Sequence, residues 1–384
     1  MKIRVEINSL ASKHITGVGY YTKRLTEALI KDKQNTVSTF SFNFLTRQPV
    51  PKFKNRPTQE INRWFPLRVY AKLHSHRFTL PFDLFLKPVD LTIFTNYARW
   101  PTVKSRYTAT TIHDLTFLHY PELVEEKNLA HLNRIVKRSI RSSDFIITVS
   151  EAVKSEIVEY FKISPDRIVT TPVLPDDTFY KKNDNEVHKK YGIPTNKYLF
   201  FISTIEPRKN IPVLIKAYEK LSPKLRKEYS LVLSGGMGWK GEASVKAIKT
   251  AQRKGLQVIH TGYIDEQDKS ALYQQASAFV FPSIYEGFGM PLLEAAASQT
   301  PIVTTDIPVL KEAAGEGAAY FKSGDSKELA SAITTVLTDT HRRADLVKKA
   351  SAHLRTFSWA DNAHKIIAKV KEYEDRDLNV HETS

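Results

Sequence analysis

Short apolar runs alternate with longer amphipathic segments along nearly the whole chain, and this pattern constrains the fold more than any other feature. The first series comprises residues 2–7 (KIRVEI), in which apolar and polar residues alternate, and short apolar runs at 91–94, 108–112, 145–149 and 168–171. A second series falls at residues 198–203, 231–234, 258–261, 278–281 and 301–304. Short strands that alternate with helices are typical of a parallel sheet covered on both faces. The pattern therefore predicts an α/β fold with two Rossmann-like, doubly wound sheets.

A polar stretch separates the two series and suggests where the chain divides. Residues 173–197 contain Pro175, Gly192 and Pro194 and have the composition of an interdomain linker. At 384 residues the chain is also too long for one ordinary core. We expect an N-terminal domain at residues 1–180, a C-terminal domain at 190–358, and a final helix at 359–384 that crosses back to the first domain.

Composition excludes several classes of protein. The chain has no cysteine, so disulfides, thiolate metal sites and cysteine nucleophiles are ruled out. The first residues resemble a strand rather than a signal peptide, and no run of about 18 apolar residues predicts a membrane span. The net charge of +16 favours anionic ligands, lipids or nucleic acid. We expect a cytoplasmic protein, either soluble or peripheral on a membrane.

The strongest motif runs from Glu286 to Glu294 (EGFGMPLLE) and follows a predicted strand. Gly287 and Gly289 allow the backbone to approach a ligand closely, and Pro291 suits the first turn of a helix. Unpaired amides at the positive end of that helix would bind a diphosphate. The two carboxylates could then reach sugar and ribose hydroxyls. The alternative is a glycine-rich turn followed by an acidic residue on a solvated helix face.

A second motif, Glu206-Pro-Arg-Lys-Asn210, follows the first strand of the second series. Arg208 can hold a phosphate with two hydrogen bonds, and Lys209 adds a point charge. Both residues are expected where a helix begins, where cations oppose the helix dipole and a bound anion would relieve that cost. The alternative is a basic helix start exposed on the surface.

Two weaker signals lie in the first half of the chain. Gly17 and Gly19 form half of a dinucleotide-binding fingerprint, and a plain tight turn explains them equally well. His113, beside Asp114 at a strand end, is a candidate donor to a sugar hydroxyl or a phosphate, although a lone histidine is usually structural. No HExxH, DxD or comparable cluster has metal-ligand spacing, so we expect no metal site.

The segment from Asn62 to Phe85 mixes aromatic and basic side chains. It lies within a region, Ser41 to Tyr107, that has 12 Lys and Arg residues against three acidic ones. This mixture fits an anionic membrane surface. It also fits single-stranded nucleic acid, or an ordinary helix whose aromatic residues belong to the core.

Six motifs together resemble glycosyltransferase family 4, a retaining family with the GT-B fold, in which two Rossmann-like domains face each other across a deep cleft. In chain order they are Thr16-Gly17-Val18-Gly19-Tyr20, His113-Asp114-Leu115-Thr116-Phe117, Ile147-Thr148-Val149-Ser150, Glu206-Pro207-Arg208-Lys209-Asn210, His260-Thr261-Gly262-Tyr263 and the stretch from Glu286 to Glu294. The resemblance implies an N-terminal acceptor domain and a C-terminal domain that binds a nucleotide-sugar donor.

The resemblance also implies roles for residues of the second half. Arg208 and Lys209 match the pair that neutralises the donor diphosphate. Glu286 matches the glutamate near the donor sugar, and Glu294 the one that binds ribose. Backbone amides would hold sugar hydroxyls and phosphate, and a turn would contact the base. The residues that supply these backbone contacts are Phe288, Gly289, Met290 and Leu292 for the amides and Gly262 and Tyr263 for the turn.

In the first half, the resemblance assigns Gly17 and Gly19 to the loop that approaches the diphosphate. It assigns His113 to a contact with the donor sugar. The catalytic residues implied are thus Glu286, His113, Arg208 and Lys209. No metal or other cofactor is expected, because the nucleotide-diphosphate sugar is a substrate.

Within the family, the motifs look most like those of bacterial mannosyltransferases that build O-antigen, lipopolysaccharide or other surface polysaccharides. The expected reaction moves mannose from GDP-mannose to a lipid-linked saccharide at the cytoplasmic face of the inner membrane. Transfer of rhamnose or glucose from another nucleotide sugar is the main alternative. From a different class, a non-catalytic anion-binding or nucleic-acid-binding protein remains open, although we expect no specific nucleic acid.

Overall fold

The computed structural model describes residues 1–11, 16–43, 53, 57–62, 65–75, 80–194 and 197–382. The chain divides into two compact units. Unit 1 comprises Met1–His119, Glu126–Val173 and Ser358–Ser384, and unit 2 comprises Tyr120–Glu125 and Leu174–Phe357. Each unit contains one parallel sheet with helices, so the prediction of two Rossmann-like sheets is confirmed.

Unit 1 contains a seven-stranded sheet in which the paired strands are parallel. The strands are β1 (Lys2–Glu6), β2 (Thr36–Phe42), β3 (Thr58–Asn62), β4 (Val89–Phe94), β5 (Ser105–Ile112), β6 (Phe145–Thr148) and β7 (Ile168–Thr170). Their order in the sheet is β3-β2-β1-β4-β5-β6-β7. The strand order therefore reverses between β1 and β4, and ligands of such sheets bind at the carboxyl ends of the strands at this reversal.

Strand β1 is buried on both faces, although its sequence alternates apolar and polar residues. Ile3 and Val5 lie in the core, and the Arg4 side chain is also fully buried. Arg4 is neutralised inside the unit because its Nε donates to Glu60 Oε2 (2.5 Å) and its Nη2 to Glu60 Oε1 (3.1 Å). The alternation of apolar and polar residues in β1 is therefore explained by a buried ion pair and not by a face exposed to solvent.

The helices of unit 1 lie between its strands and at the end of the chain. They are α1 (Gly17–Lys31), α2 (Leu67–Ser75), α3 (Thr116–His119), α4 (Glu126–Ser142), α5 (Glu151–Phe161) and α15 (Trp359–Glu382). The last of them joins unit 1 through a buried hydrogen bond in which Asn362 Nδ2 donates to the Pro172 carbonyl (2.7 Å). The end of the chain is therefore part of the same unit as its beginning.

Unit 2 contains a six-stranded sheet, also with parallel pairing. The strands are β8 (Tyr198–Ile202), β9 (Ser230–Ser234), β10 (Val258–Gly262), β11 (Ala278–Phe281), β12 (Ile302–Thr305) and β13 (Ala318–Phe321). Their order is β10-β9-β8-β11-β12-β13, so the reversal lies between β8 and β11. The helices are α6 (Val187–Tyr191), α7 (Ile211–Lys220), α8 (Pro223–Glu228), α9 (Glu242–Arg253), α10 (Glu266–Gln274), α11 (Met290–Ala297), α12 (Pro308–Ala314), α13 (Ser326–Thr338) and α14 (Thr340–Leu354).

The polar stretch that follows β7 packs on unit 2 instead of forming a free linker. The Asn183 side chain donates to the Gln267 carbonyl (2.8 Å) and to Ser270 Oγ (2.8 Å). The ring of Phe179 packs edge-on against Tyr273, at 5.8 Å between centroids. Unit 2 consequently begins at residue 174, whereas the sequence suggested a C-terminal domain from residue 190.

Candidate functional site

The two motifs of the second half meet at the strand reversal of unit 2. The segment Glu206–Asn210 follows β8, and the segment that contains Glu286 follows β11, which is hydrogen-bonded to β8. The two loops are joined directly, because the Ile284 amide donates to the Arg208 carbonyl (2.9 Å). The strand order thus brings together residues that lie almost eighty positions apart in the sequence.

A cluster of charges forms between these loops. Glu286 accepts hydrogen bonds from Arg208 Nη1 (2.7 Å, at Oε2) and from Lys209 Nζ (2.5 Å, at Oε1). Arg208 Nε lies 2.6 Å from Glu206 Oε1. Two cations therefore face two carboxylates, and Lys209 is only 4% exposed while Arg208 retains some access to solvent.

Burial and charge act in opposite directions on these groups. Burial by itself raises the pKa of Glu286, but the adjacent Arg208 and Lys209 outweigh it and hold that pKa at about 2. Burial lowers the pKa of Lys209, and the like charge of Arg208 lowers it further, against the opposing effect of Glu286. Glu286 is consequently ionised at neutral pH, and it compensates the cost of burying a lysine.

The basic pair does not lie in the first turn of a long helix, as the sequence suggested. Arg208 and Lys209 belong to a single 3-10 turn, Pro207–Lys209, and α7 begins only at Ile211. Asn210 separates the two elements with a left-handed backbone (φ 54°), which breaks the helical hydrogen-bonding pattern. The two cations are therefore positioned by their ion pairs with Glu286 and Glu206, and not by being part of α7.

The start of α11 has the geometry that an anion site requires. Gly289 precedes the helix with φ 106°, and a Cβ at this position would lie 2.7 Å from Leu310 Cδ2, so only glycine fits without rearrangement. Among the described residues, no acceptor is hydrogen-bonded to the amides of Gly289 and Met290. The Leu292 amide, by contrast, donates to the Gly289 carbonyl (2.9 Å).

The predicted contacts of this segment can come only from its backbone. Phe288 is buried, and its ring packs edge-on against Phe357 (5.8 Å between centroids). Leu292 is fully buried as well. Their side chains therefore belong to the core of unit 2, which leaves the amides before and at the start of α11 to face a ligand.

Glu294 belongs to a separate cluster one turn further along α11. It is buried, and its carboxylate accepts hydrogen bonds from Lys269 Nζ (2.6 Å) and Tyr273 Oη (2.9 Å). Burial lowers the pKa of Lys269, but Glu294 more than reverses this, and burial together with Glu294 raises the pKa of Tyr273 well above its ordinary value. Sequence reasoning missed both partners, although they lie four residues apart on one face of the predicted helix 265–275.

The predicted base-binding turn ends strand β10. Gly262 has φ 68°, and its carbonyl accepts a hydrogen bond from the Gly235 amide (2.8 Å). Tyr263 is exposed, and its ring covers Gly236 so closely that a Cβ there would lie 2.3 Å from Tyr263 Cε2. The turn therefore presents backbone groups and one aromatic ring at the carboxyl edge of the sheet.

In unit 1, His113 follows β5 and is held in one tautomer. Its Nε2 lies 2.9 Å from the Thr95 carbonyl, and since a carbonyl only accepts, Nε2 carries the hydrogen and Nδ1 remains an acceptor. The ring packs edge-on against Tyr21 and Tyr97, at 5.2 and 5.8 Å between centroids. Burial lowers the pKa of His113, so the ring is neutral near pH 7 and is built to accept a hydrogen bond.

Gly17 and Gly19 lie in the first turn of α1 rather than in a loop. Thr16 caps this helix, and its Oγ accepts from the Gly19 amide (3.4 Å). A Cβ on Gly17 would meet no atom within 4 Å. Gly17 is exposed and has open space around it, whereas Gly19 is buried and its amide is used by the Thr16 cap.

The structure thus brings Arg208, Lys209, Glu286 and the start of α11 together in unit 2, whereas Gly17, Gly19 and His113 belong to unit 1. Within the ranges that the structure describes, no group of three or more potential metal ligands occurs. None of the described helices combines the length and apolar composition needed to cross a membrane.

The segment from Asn62 to Phe85 divides between core and surface, so neither the membrane-surface interpretation nor the core-helix interpretation covers all of its residues. Tyr70 and Phe82 are buried in a cluster with Phe40, Phe42, Phe94 and Trp100. Phe85 is 94% exposed, and Phe65 is also exposed. The basic residues Arg68 and Lys72 of this segment are exposed on α2, whereas Arg63, Trp64, Arg77 and Phe78 lie outside the described residues.

Comparison with known proteins gives matches over both halves. A family model described as Glycosyltransferase Family 4 matches residues 15–173, and one described as Glycosyl transferases group 1 matches residues 183–353. O-antigen chain mannosyltransferase B of Escherichia coli is 32% identical over 267 residues, which are 67% of this chain and 70% of that protein. Serotype-specific mannosyltransferase WbdA of Escherichia coli is 31% identical over 62% of this chain, which spans 29% of WbdA.

Solved structures show the same architecture over nearly the whole chain. Sucrose-phosphate synthase from Thermosynechococcus elongatus superposes with a TM-score of 0.73 at 18% identity and covers 98% of this chain and 99% of its own. WaaG, a glycosyltransferase involved in lipopolysaccharide biosynthesis, superposes with a TM-score of 0.68 at 16% identity and covers 95% of this chain and 98% of its own. At these identities the likeness concerns the fold, which is GT-B.

Proposed function

Because the chain belongs to the glycosyltransferases of group 1 and family 4, we propose that it is a retaining mannosyltransferase that uses GDP-mannose. The acceptor in this proposal is a lipid-linked saccharide of O-antigen or another surface polysaccharide. Support for mannose comes from the relatives, which include an O-antigen chain mannosyltransferase at 32% identity. The chain itself is a glycosyltransferase with the GT-B fold.

One observation carries the proposal: the cluster of Arg208, Lys209 and Glu286 beside the start of α11. Glu286 holds both cations in place. A diphosphate carries more negative charge than one carboxylate, so it would replace Glu286 as the partner of Arg208, the more accessible cation. Glu286 would then be released toward the hydroxyls of the donor sugar, the role that its position in the motif implies.

The hard step in sugar transfer is departure of the nucleoside diphosphate. Negative charge grows on the β-phosphate oxygen as its bond to the anomeric carbon breaks, and fixed cations and amides stabilise that charge most in the transition state. Arg208, Lys209 and the amides at the start of α11 supply this stabilisation. The acceptor hydroxyl forms the new bond on the same face of the sugar, and its proton passes to the departing phosphate, which retains the anomeric configuration.

In this proposal the protein's own cations replace a metal ion. A divalent ion would act on the same phosphate oxygens that Arg208 and Lys209 are positioned to neutralise. His113, neutral and with Nδ1 free to accept, would bind a hydroxyl of the donor sugar. We therefore expect full transfer activity in the presence of EDTA, and loss of activity that Mg²⁺ restores would contradict the metal-free mechanism.

A membrane surface is the proposed location of the acceptor. Asp83 is buried and accepts from the Val103 amide (2.9 Å) and the Lys104 amide (3.0 Å), which fixes the loop that carries Phe85. The exposed apolar side chains on and beside this anchored loop are Leu80, Leu84, Phe85 and Val103. The basic residues close to them in the sequence are Arg68, Lys72, Lys87 and Lys104. Rigidly held apolar side chains flanked by cations suit an anionic bilayer surface.

The decisive experiment measures donor binding and transfer in the same preparation. GDP-mannose, UDP-glucose, UDP-GlcNAc, UDP-galactose and dTDP-rhamnose are compared by thermal shift and calorimetry in EDTA. Selective stabilisation by GDP-mannose and GDP supports the proposal, since a ligand that binds only the folded state raises its stability. Preference for UDP-glucose or dTDP-rhamnose would replace mannose by glucose or rhamnose. Failure of every nucleotide sugar to bind would overturn the donor-site assignment.

A further inference from the structure

We propose that the segment Tyr120–Glu125 is a positioning strap for the donor site and that Tyr120 is its key residue. The strap lies in sequence between α3 and α4, two helices of unit 1, yet it packs with unit 2. It consists of Tyr120 followed by a 3-10 turn, Pro121–Leu123. The inference rests on the proposed function, because it concerns the same diphosphate site.

The first arm of the strap contacts the loop that carries Glu286. The ring of Tyr120 packs against the ring of Tyr285, with 5.6 Å between centroids and 56° between planes. Tyr285 directly precedes Glu286, and its carbonyl accepts a hydrogen bond from Arg208 Nη1 (3.2 Å). The position of the Tyr285 backbone therefore sets the positions of both Glu286 and Arg208.

The second arm contacts the glycine-rich loop that follows β9. Lys240 Nζ donates to the Glu122 carbonyl (2.6 Å), and Lys240 itself has a left-handed backbone (φ 53°). Such a conformation is costly for a residue with a side chain, and it persists where the surroundings hold it in place. The hydrogen bond from Lys240 Nζ to the Glu122 carbonyl is one of the interactions that hold this conformation in place.

The glycine-rich loop in turn packs on the segment that leads to Arg208. The Ile205 amide donates to the Gly236 carbonyl (2.9 Å), and the Gly238 amide donates to the Ile205 carbonyl (3.0 Å). A Cβ on Gly241 would lie 2.6 Å from the Ile205 carbonyl oxygen, so the two loops are in close backbone contact. Ile205 is followed directly by Glu206, which is paired with Arg208.

These contacts form a closed series that includes Arg208 of the basic pair. It runs from Tyr120 to Tyr285, through Arg208 to Ile205, across the glycine-rich loop to Lys240, and back to the strap at Glu122. None of the strap's residues is a candidate ligand of the donor. The strap acts by holding in place the loops that carry the candidate donor ligands. Small displacements of catalytic groups lower reaction rates strongly.

The test uses the full chain and the substitutions Tyr120→Ala, Tyr120→Phe and Lys240→Met. Tyr160→Ala serves as the matched control, because Tyr160 is an exposed aromatic residue on α5 of unit 1. For each variant the affinity for GDP-mannose and GDP is measured by calorimetry, kcat and KM are measured in transfer, and Tm is measured without ligand. Both nucleotides are used because GDP lacks the sugar and therefore reports only on the nucleoside and diphosphate contacts.

We expect Tyr120→Ala to weaken GDP affinity and to lower kcat/KM by about tenfold or more, since a misplaced charge costs that much. Tyr120→Phe keeps the ring and should retain wild-type affinity, and Tyr160→Ala should do the same. Lys240→Met should weaken binding less, and its effect should not add to that of Tyr120→Ala, because both act through one strap.

A lower Tm with unchanged nucleotide affinity in Tyr120→Ala and Lys240→Met would show a merely structural strap and would overturn the inference. If Tyr120→Ala does not fold, the Lys240→Met and Tyr120→Phe results decide in the same way. Absence of nucleotide binding by the wild-type protein would overturn the proposed function and this inference with it. Wild-type binding that neither substitution changes would overturn the inference alone.

Discussion

At the scale of single residues, the donor site shows how one carboxylate keeps two cations in a buried position. Lys209 is almost fully enclosed, and without Glu286 its charge would be costly at that depth. Glu286 also fixes the direction of the Arg208 guanidinium. In the proposed mechanism the same three residues would therefore both stabilise unit 2 and stabilise charge during transfer.

Replacing either cation should reduce turnover, and it should also lower stability, because buried Glu286 loses one of its two partners. We expect Arg208→Ala or Lys209→Ala to lower kcat/KM by more than about tenfold, because each removes stabilisation of charge on the leaving diphosphate. Steady-state transfer assays measure the effect. Lys254→Ala is the matched control, because Lys254 is an exposed lysine of unit 2 paired with Glu219. Near wild-type rates in both site variants would remove the diphosphate assignment.

The depressed pKa of Glu286 should appear as a pH-dependent contribution to stability. The folded state holds this pKa at about 2, below its ordinary value of 4.5. A lowered folded-state pKa gives stability that is present above 4.5 and is lost as pH falls toward 2. The Tm difference between wild type and Glu286→Gln should therefore be largest above pH 4.5 and should shrink below it.

Thermal unfolding across that pH range measures this difference, with Glu316→Gln, an exposed carboxylate of unit 2, as the comparison. A Tm difference that stays constant with pH in Glu286→Gln would show that the charge of Glu286 does not contribute in this way.

At the scale of elements, most of the strands that the sequence identified are short, buried and largely apolar, whereas β1 was identified by its alternation and the equally apolar β13 was missed. Strand β11 occupies residues 278–281 as predicted, and eight of the other nine expected strands differ by only a residue or two at each end, β5 by three at its start. Strands β2, β3 and β13 were not expected. Strand β2 mixes Ser and Thr with aromatic residues, and β3 (TQEIN) has a single strongly apolar residue.

The same scale explains which site residues could be predicted. Motifs that directly follow strands, such as Glu206–Asn210 and the segment from Glu286, are brought together by strand order alone. Lys269 and Tyr273 were missed because they lie within a helix, and their role depends on that helix packing beside α11. The 3-10 turn that carries Arg208 could not be foreseen either, since the left-handed Asn210 has no distinct sequence signal.

Attachment of α15 to unit 1 includes one buried side-chain hydrogen bond. Asn362 is 1% exposed, and its Nδ2 donates to the Pro172 carbonyl. We expect Asn362→Ala to lower the free energy of unfolding by about 1–3 kcal/mol, because the carbonyl is left buried without its donor. Urea denaturation measures the loss, and His364→Ala, on the exposed face of the same helix, should change stability little. Equal stability of wild type and Asn362→Ala would mean that this hydrogen bond does not stabilise the attachment of α15.

At the scale of the whole molecule, the charge of +16 is the property that most affects how the protein meets other surfaces. Such a charge attracts any polyanion, so attraction alone does not identify a partner. Binding to a membrane differs from binding to other polyanions because apolar side chains contribute to the affinity in addition to the charge. The anchored loop with Phe85 offers such side chains, and it provides a way to separate the two contributions.

We expect the protein to sediment with anionic vesicles at low salt and to be released as ionic strength rises, because salt screens exposed charges. Phe85→Ser should weaken this binding at every salt concentration, since it removes apolar contact with the bilayer and leaves the charge unchanged. Leu378→Ser, at an exposed leucine on α15, is the control. Sedimentation that Phe85→Ser and Leu378→Ser affect equally would show that the loop does not contact lipid.

The division of the chain has a consequence for how such enzymes can exchange parts. The backbone passes from one unit to the other four times, at residues 119/120, 125/126, 173/174 and 357/358. A single recombination event between two related genes near residue 173 would therefore not transfer a whole unit. In the hybrid, the strap of the first parent would pack on the loops of unit 2 from the second parent. The last helix of the second parent would pack on unit 1 of the first parent. A chimera that combines unit 1 of one enzyme with unit 2 of another therefore has to take residues 120–125 together with unit 2 and residues 358–384 together with unit 1.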